Sequence, residues 1–196
     1  MPDLRFSVLS VAAAPDASRL EFVLQMENAA AEETIERVRL NAQLHIQPGR
    51  RRYSKQEQAA LQSLFGEPER WHVSLHPLFW ASTTLDVPFG SAAKAECSVA
   101  FAADSDDAAL TYCHALQEGE IPVEFMFSGT IFYTRNGPMQ VAFIPWAKET
   151  ACRIPLSVWK QCSRSADAAS DSVPVKERTW AEIVEHAVMA AGRRKG

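Results

Sequence analysis

A chain of 196 residues with 47% apolar and 22% charged content has the size of one domain, or one domain with a small appendage, and can bury a real core. Twenty Lys and Arg against 24 Asp and Glu leave a formal charge of −4, which speaks against a general attraction to nucleic acid or anionic membrane. No apolar run approaches the roughly 18–20 residues that span a bilayer, and no charged-then-apolar leader precedes a cleavage site.

Leu4, Phe6 and Val8 alternate with Arg5 and Ser7, the period of a half-buried strand. Leu20, Phe22, Leu24 and Met26 repeat that pattern against Glu21, Gln25 and Glu27. The cleanest alternation sets Val38, Leu40, Ala42, Leu44 and Ile46 against Arg37, Arg39, Asn41, Gln43 and His45. One face is core and the other is solvent, as an antiparallel sheet open to water requires. Pro48-Gly49 ends it. Ser54 and Glu57 make a capping box for a helix whose apolar stripe is Ala60, Leu61, Leu64 and Phe65, stopped by Gly66 and Pro68. Residues 67–80, rich in Trp, His and Pro, read as an ordered loop packed on the core.

Strands resume at Thr83, Leu85 and Val87 and again at Cys97, Val99 and Phe101. The acidic turn Asp104–Asp107 caps a helix carrying Leu110, Tyr112, Cys113 and Leu116, and Gly119 stops it. Val123, Phe125, Phe127, Ile131 and Tyr133 share one face of the next strand. Met126 and Phe132 make its other face partly apolar, which predicts a central strand buried on both sides for part of its length. Asn136-Gly137 between apolar runs marks a hairpin, with Val141, Phe143 and Pro145 on the return strand. Pro155 opens a short helix with Val158, Trp159 and Cys162. Residues 163–176, rich in Ser, Ala and Asp, read as a flexible linker, and Trp180, Ile183, Val184 and Ala187 give residues 177–196 helical spacing. The fold class is mainly β (α+β). Six to eight strands without strand–helix alternation predict an immunoglobulin-like antiparallel β-sandwich over 1–162, with helical insertions at about 54–65 and 106–117 and a C-terminal helix.

The chemistry is thin. His72 and His76 are four residues apart, and Cys113 and His114 are adjacent, so four ligands for a metal, or a Cys–His nucleophile, exist on paper. Pro77 argues against a helix that would put the two histidines on one face, and adjacent Cys113 and His114 point in different directions. Isolated histidines and a buried, inert thiol are the simpler reading. Neither a GxSxG elbow, a GxGxxG loop nor a Walker-type loop occurs. Glu118, Glu120 and Glu124 form an acidic group at a helix end, which reads as solvated rather than as an acid–base pair. Arg50-Arg51-Arg52 beside Tyr53, with Arg37 and Arg39 on the neighbouring strand face, is the candidate docking patch for an acidic protein partner; the plain alternative is a solvated corner. The aromatics from Trp71 to Trp80 and the Pro145-Trp146 corner read as plugs at the ends of the sandwich, with interface anchors as the alternative.

Arg50-Arg51-Arg52-Tyr53-Ser54, the run from Leu64 to Trp71, Leu78-Phe79-Trp80, and the stretch from His114 through Gly119-Glu120-Ile121-Pro122 to Tyr133, with Pro145-Trp146, form a recognisable set. Over about residues 4–160 the chain resembles an uncharacterised bacterial family classed as a domain of unknown function. Members are often encoded near nickel–iron hydrogenase genes, so the resemblance implies an accessory role in hydrogenase assembly or maturation. No catalytic or binding residue is established for that family, and none is carried over. The longer C-terminal region that the family leads one to expect is here replaced by the Ser/Ala segment and one helix.

The expectation is therefore a cytoplasmic, non-enzymatic protein-interaction or assembly protein with reduced cysteines, no cofactor, no membrane span and no nucleic-acid role. Its partner is a protein; a homodimer joined through a sheet edge or the last helix is compatible with this. The rival reading is a metal-binding protein or small hydrolase using His72, His76, Cys113 and His114.

Overall fold

Alternating strands with one apolar face must bury it against another layer, and here two sheets do so for each other. The computed structural model describes residues 1–15, 19–30, 32–90, 93–103 and 105–170. Within them, β1 (Leu4–Ala13), β2 (Arg19–Asn28) and β5 (Lys94–Ala102) form a sheet in the order β1-β2-β5. The larger sheet runs β4-β3-β6-β7, from β3 (Thr34–Ile46), β4 (Leu78–Pro88), β6 (Glu120–Thr134) and β7 (Met139–Pro155). Every pairing is antiparallel. The helices are α1 (Lys55–Phe65), α2 (Trp71–Ser74), α3 (Asp107–Ala115) and α4 (Leu156–Ser170). The expected mainly β sandwich with short helices is what the chain forms. It divides into two units, Met1–Ala166 and Asp167–Gly196, and the sandwich lies in the first.

Val38, Leu40, Ala42, Leu44 and Ile46 of β3 are all fully buried, as their alternation requires. They meet Leu20, Phe22, Leu24 and Met26 of β2, equally buried in the facing sheet. Aromatic contacts join the layers: Phe22 packs edge-on to Phe125 of β6 at 5.1 Å, and Phe6 of β1 stacks on Phe127 at 4.1 Å. β6 is central, between β3 and β7, and as expected it is buried on both sides for part of its length: its second face is buried at Pro122 and Glu124 and half-buried at Met126 and Phe132.

α1 begins as the sequence predicts. The Ser54 hydroxyl accepts from the Glu57 amide and the Glu57 carboxylate accepts from the Ser54 amide; Gly66 ends the helix with a φ of 72°. Asp106, within the acidic turn, caps α3 by accepting from the amides of Ala108 and Ala109.

Two expectations change. The segment 67–80 is not simply a loop: Pro68–Arg70 makes a turn of 3-10 helix, Trp71–Ser74 makes α2, and β4 already starts at Leu78. Pro68 at a first helical position starts the turn rather than preventing it. A bulge lets Trp80 face inward, because Leu44 pairs with Ala81 and His45 with Phe79, leaving Trp80 as the extra residue. Residues 163–170, expected as the start of a flexible linker, instead continue α4, a stretch with Ala and without Gly or Pro to stop it. Residues 171–176 and the expected helix at 177–196 lie outside the described residues.

Candidate functional site

The arginine run leaves β3 at the end of the sandwich, and its members have unlike fates. Arg51 turns inward, with a side chain only 10% exposed. It donates to the Glu57 carboxylate at 2.5 Å, to the Glu118 carbonyl at 2.7 Å and to the Glu120 carbonyl at 2.8 Å. It thereby ties α1 to the start of β6. Gly119 permits this: a Cβ there would stand 3.2 Å from the Arg51 guanidinium, and the residue holds a φ of 84°. The Glu57 carboxylate also accepts from the Gln117 amide at 3.0 Å. Burial raises its pKa, but the amides of Ser54 and Gln117 and the Arg51 charge outweigh burial and hold it below the ordinary value.

Arg50 pairs with Glu124 at 2.7 Å, and Gln47 donates to the other oxygen of that carboxylate at 2.8 Å. Tyr53 donates to the Pro48 carbonyl at 2.7 Å and meets the Tyr112 hydroxyl at 2.8 Å. Burial, only partly offset by the Tyr112 hydrogen bond and the Arg51 charge, pushes its phenol up to about 12. Arg52 alone of the three arginines is exposed without an ion pair among the described residues. These side chains line an open groove of about 690 Å³ in which Arg50, Arg51, Arg52 and Arg153 are matched by Glu57, Glu118 and Glu120. The groove is a nearly neutral corner rather than a basic patch.

Arg37 and Arg39 do not join it. At about 3.3 Å per residue, the stretch of β3 from Arg39 to Ile46 separates the two groups by roughly 20 Å. They lie on the outer face of the larger sheet, where two rows cross four strands. One row is Val141–Phe132–Arg37–Pro88 and the other Phe143–Thr130–Arg39–Asp86, running from β7 through β6 and β3 to β4. Residues directly opposite one another share a face. The Arg37 guanidinium sits 4.6 Å over the Phe132 ring, and neither arginine makes an ion pair among the described residues.

β7 supplies what the sequence reading missed. Ala142 and Ile144 point into the core, so Met139, Val141 and Phe143 point out, 61%, 55% and 72% exposed. Trp146 is 83% exposed and projects from a bend where Pro145–Ala147 face Ser128. It plugs nothing, whereas Trp71 and Trp80 are buried as plugs. The bend has a partner on β6: Gly129 has a φ of 146°, and a Cβ there would stand 2.1 Å from the Arg39 carbonyl oxygen. The signal lay in the hairpin register rather than in β7 itself: Phe132 reads as facing away from the core, and the turn Arg135–Pro138 sets Val141 opposite it.

The four candidate ligands remain apart. His72 contacts the Glu69 carbonyl at 3.1 Å and His76 the Ser74 carbonyl at 2.7 Å. His114 packs edge-on to Trp159 at 5.0 Å. Cys113 is fully buried, and burial drives its thiol pKa up, opposite to what a nucleophile needs. Among the described residues, no group of three His, Cys, Asp or Glu is placed to hold a metal ion. No disulfide joins any of the four cysteines, and no described helix is long and apolar enough to cross a membrane.

The chain matches none of the curated proteins. Among solved structures it is similar to a GH3 β-glucosidase from Bifidobacterium adolescentis at 14% identity and a TM-score of 0.30, covering 73% of this chain and 17% of that one. It is similar to a β-glucosidase from Kluyveromyces marxianus at 9% and 0.29, covering 78% and 15%. The β-glucosidase EmGH1 from Erythrobacter marinus gives 10% and 0.31, with 79% and 15% covered. The chain thus spans under a fifth of those proteins. A family profile, by contrast, matches residues 1–191, well past the expected 4–160, so the C-terminal segment follows the family pattern rather than replacing part of it; the chain belongs to that family, the family of unknown function DUF6084.

Proposed function

We propose that this protein is a non-enzymatic interaction or assembly protein whose contact surface is the outer face of the larger sheet at β6 and β7. The observation that carries this reading is the line of exposed Met139, Val141, Phe143 and Trp146 on one edge strand. Contiguous exposed apolar side chains on a soluble domain mark contact sites, and aromatics are favoured anchors in them. The arginine corner drops from docking patch to structural joint, except for Arg52. Seven strands in two sheets support classing the sandwich as immunoglobulin-like, with β4 paired to β3. An accessory role in hydrogenase assembly in a bacterial cytoplasm rests on the family resemblance.

The test is site-specific photo-crosslinking in the native host. A photoreactive amino acid in place of Phe143 or Trp146 captures a discrete protein, while one in place of Val73, 74% exposed on α2, does not. Capture of nothing at any position, or of the same set at Val73, overturns the reading.

A further inference from the structure

We infer that the occupant of this face is an amphipathic helix with an acidic flank, presented by a different protein; the inference rests on the interaction reading above. The face has two stripes of unlike chemistry. Met139, Val141 and Phe143 form an apolar stripe on β7, with Phe132 beside it on β6. Arg37 and Arg39 form a cationic stripe on β3. β3 and β7 flank β6, roughly 10 Å apart at about 4.8 Å per strand. A helix is about 10–12 Å across, so one lying along β6 covers both stripes at once. It sets apolar residues on Val141 and Phe143 and carboxylates on Arg37 and Arg39.

The charges on the rest of the face orient it. Beyond the Ser128–Gly129 irregularity, the outer positions include Glu149 opposite Met126 and Glu124 opposite Ala151. Glu124 is already held by Arg50 and Arg153 lies beside Glu120 at that end, whereas Arg37 and Arg39 at the other end make no ion pair among the described residues. Asp86 lies across from Arg39 without forming an ion pair, so an incoming carboxylate has a guanidinium to meet.

Three other occupants fit less well. A strand added to the β7 edge would lie on the far side of β7 from β3, out of reach of both arginines, and Pro145 removes a donor from that edge. A second copy offers Arg37 and Arg39 only Asp86 from the two rows of this face, and any two-fold axis near β3 sets the arginines against their own equivalents. A nucleic-acid strand would find only two arginines in those rows, with Asp86 beside one of them, on a chain of formal charge −4, too little cation to follow a phosphate backbone.

The experiment uses the full chain carrying the photoreactive amino acid in place of Phe143. The captured species is identified and the crosslinked segment sequenced. The expected segment is net acidic, with apolar residues at three- and four-residue spacing. R37E/R39E lowers the crosslink yield at least ten-fold, while R37K/R39K, which keeps both charges, preserves most of it. A captured segment that is basic, neutral, strand-patterned, nucleic acid or this chain itself overturns the inference and leaves an interaction surface standing. A yield unchanged by R37E/R39E does the same. Capture of nothing overturns both readings together.

Discussion

The arginine corner and the β7 face differ in where their charges and apolar groups find partners. The corner has more arginine, yet Arg51 spends its guanidinium on Glu57 and two carbonyls, and Arg50 is held by Glu124 and Arg153 lies 3.9 Å from Glu120. The β7 face has only Arg37 and Arg39, both without ion pairs among the described residues, beside large apolar side chains that face water. Density of charge in sequence is therefore a poor guide to a docking surface; what counts is whether the fold has already satisfied it.

The largest expected effect breaks the corner. Arg51→Ala leaves the buried Glu57 carboxylate without its partner and should cost about 3–5 kcal/mol in urea unfolding. Arg51→Lys should recover little of that, because a point charge cannot reproduce the three-way fork. Arg52→Ala, by contrast, should stay within about 0.5 kcal/mol of wild type. Equal effects at positions 51 and 52 would erase the distinction drawn between joint and surface.

Gly129→Ala should come next, at about 3 kcal/mol, since the new methyl meets the Arg39 carbonyl and β3 or β6 must shift. Thermal melting measures it, and a neutral result would mean the bend is not fixed by that approach.

Acid titration sharpens the corner further. The Glu57 pKa is depressed in the folded chain below its ordinary 4.5. Its contribution is full above 4.5 and is lost as pH falls through the folded value. Stability should therefore fall more steeply below pH 4.5 for wild type than for Glu57→Gln, as read from urea midpoints across that range.

Phe143→Ser should have the smallest effect on folding, within about 0.5 kcal/mol by urea unfolding, because its side chain loses little water on folding. The same change should abolish partner capture from Trp146. A folding cost comparable to that of Gly129→Ala would show Phe143 to be a packing residue.

Much of the sandwich was legible because alternation is a local consequence of half-burial. β3 is the clearest case: from Arg37 to Ile46 apolar and polar residues strictly alternate, so both its strand character and its buried face could be read off. The capping box of α1 was likewise local. β7 was not legible in that way, because Val141, Ala142, Phe143 and Ile144 are apolar on both faces and period two gives no polarity. Trp146 was misread for a related reason: an aromatic in a bend looks the same whether it plugs or projects.

The sequence by itself determined most of the strands, the helix caps and the absence of any recognisable catalytic motif, since each depends on neighbours a few residues apart; the second half of β7, which Pro155 ends rather than opening a helix, was not among them. Only the tertiary structure decided which charges are spent and which apolar groups are left over. Arg51 meets Glu118 and Glu120 from a strand start nearly seventy residues away, and Arg37 meets Phe132 only because β3 pairs with β6. Burial and pairing are properties of the assembled sheets, and they decide where this protein offers a surface to another.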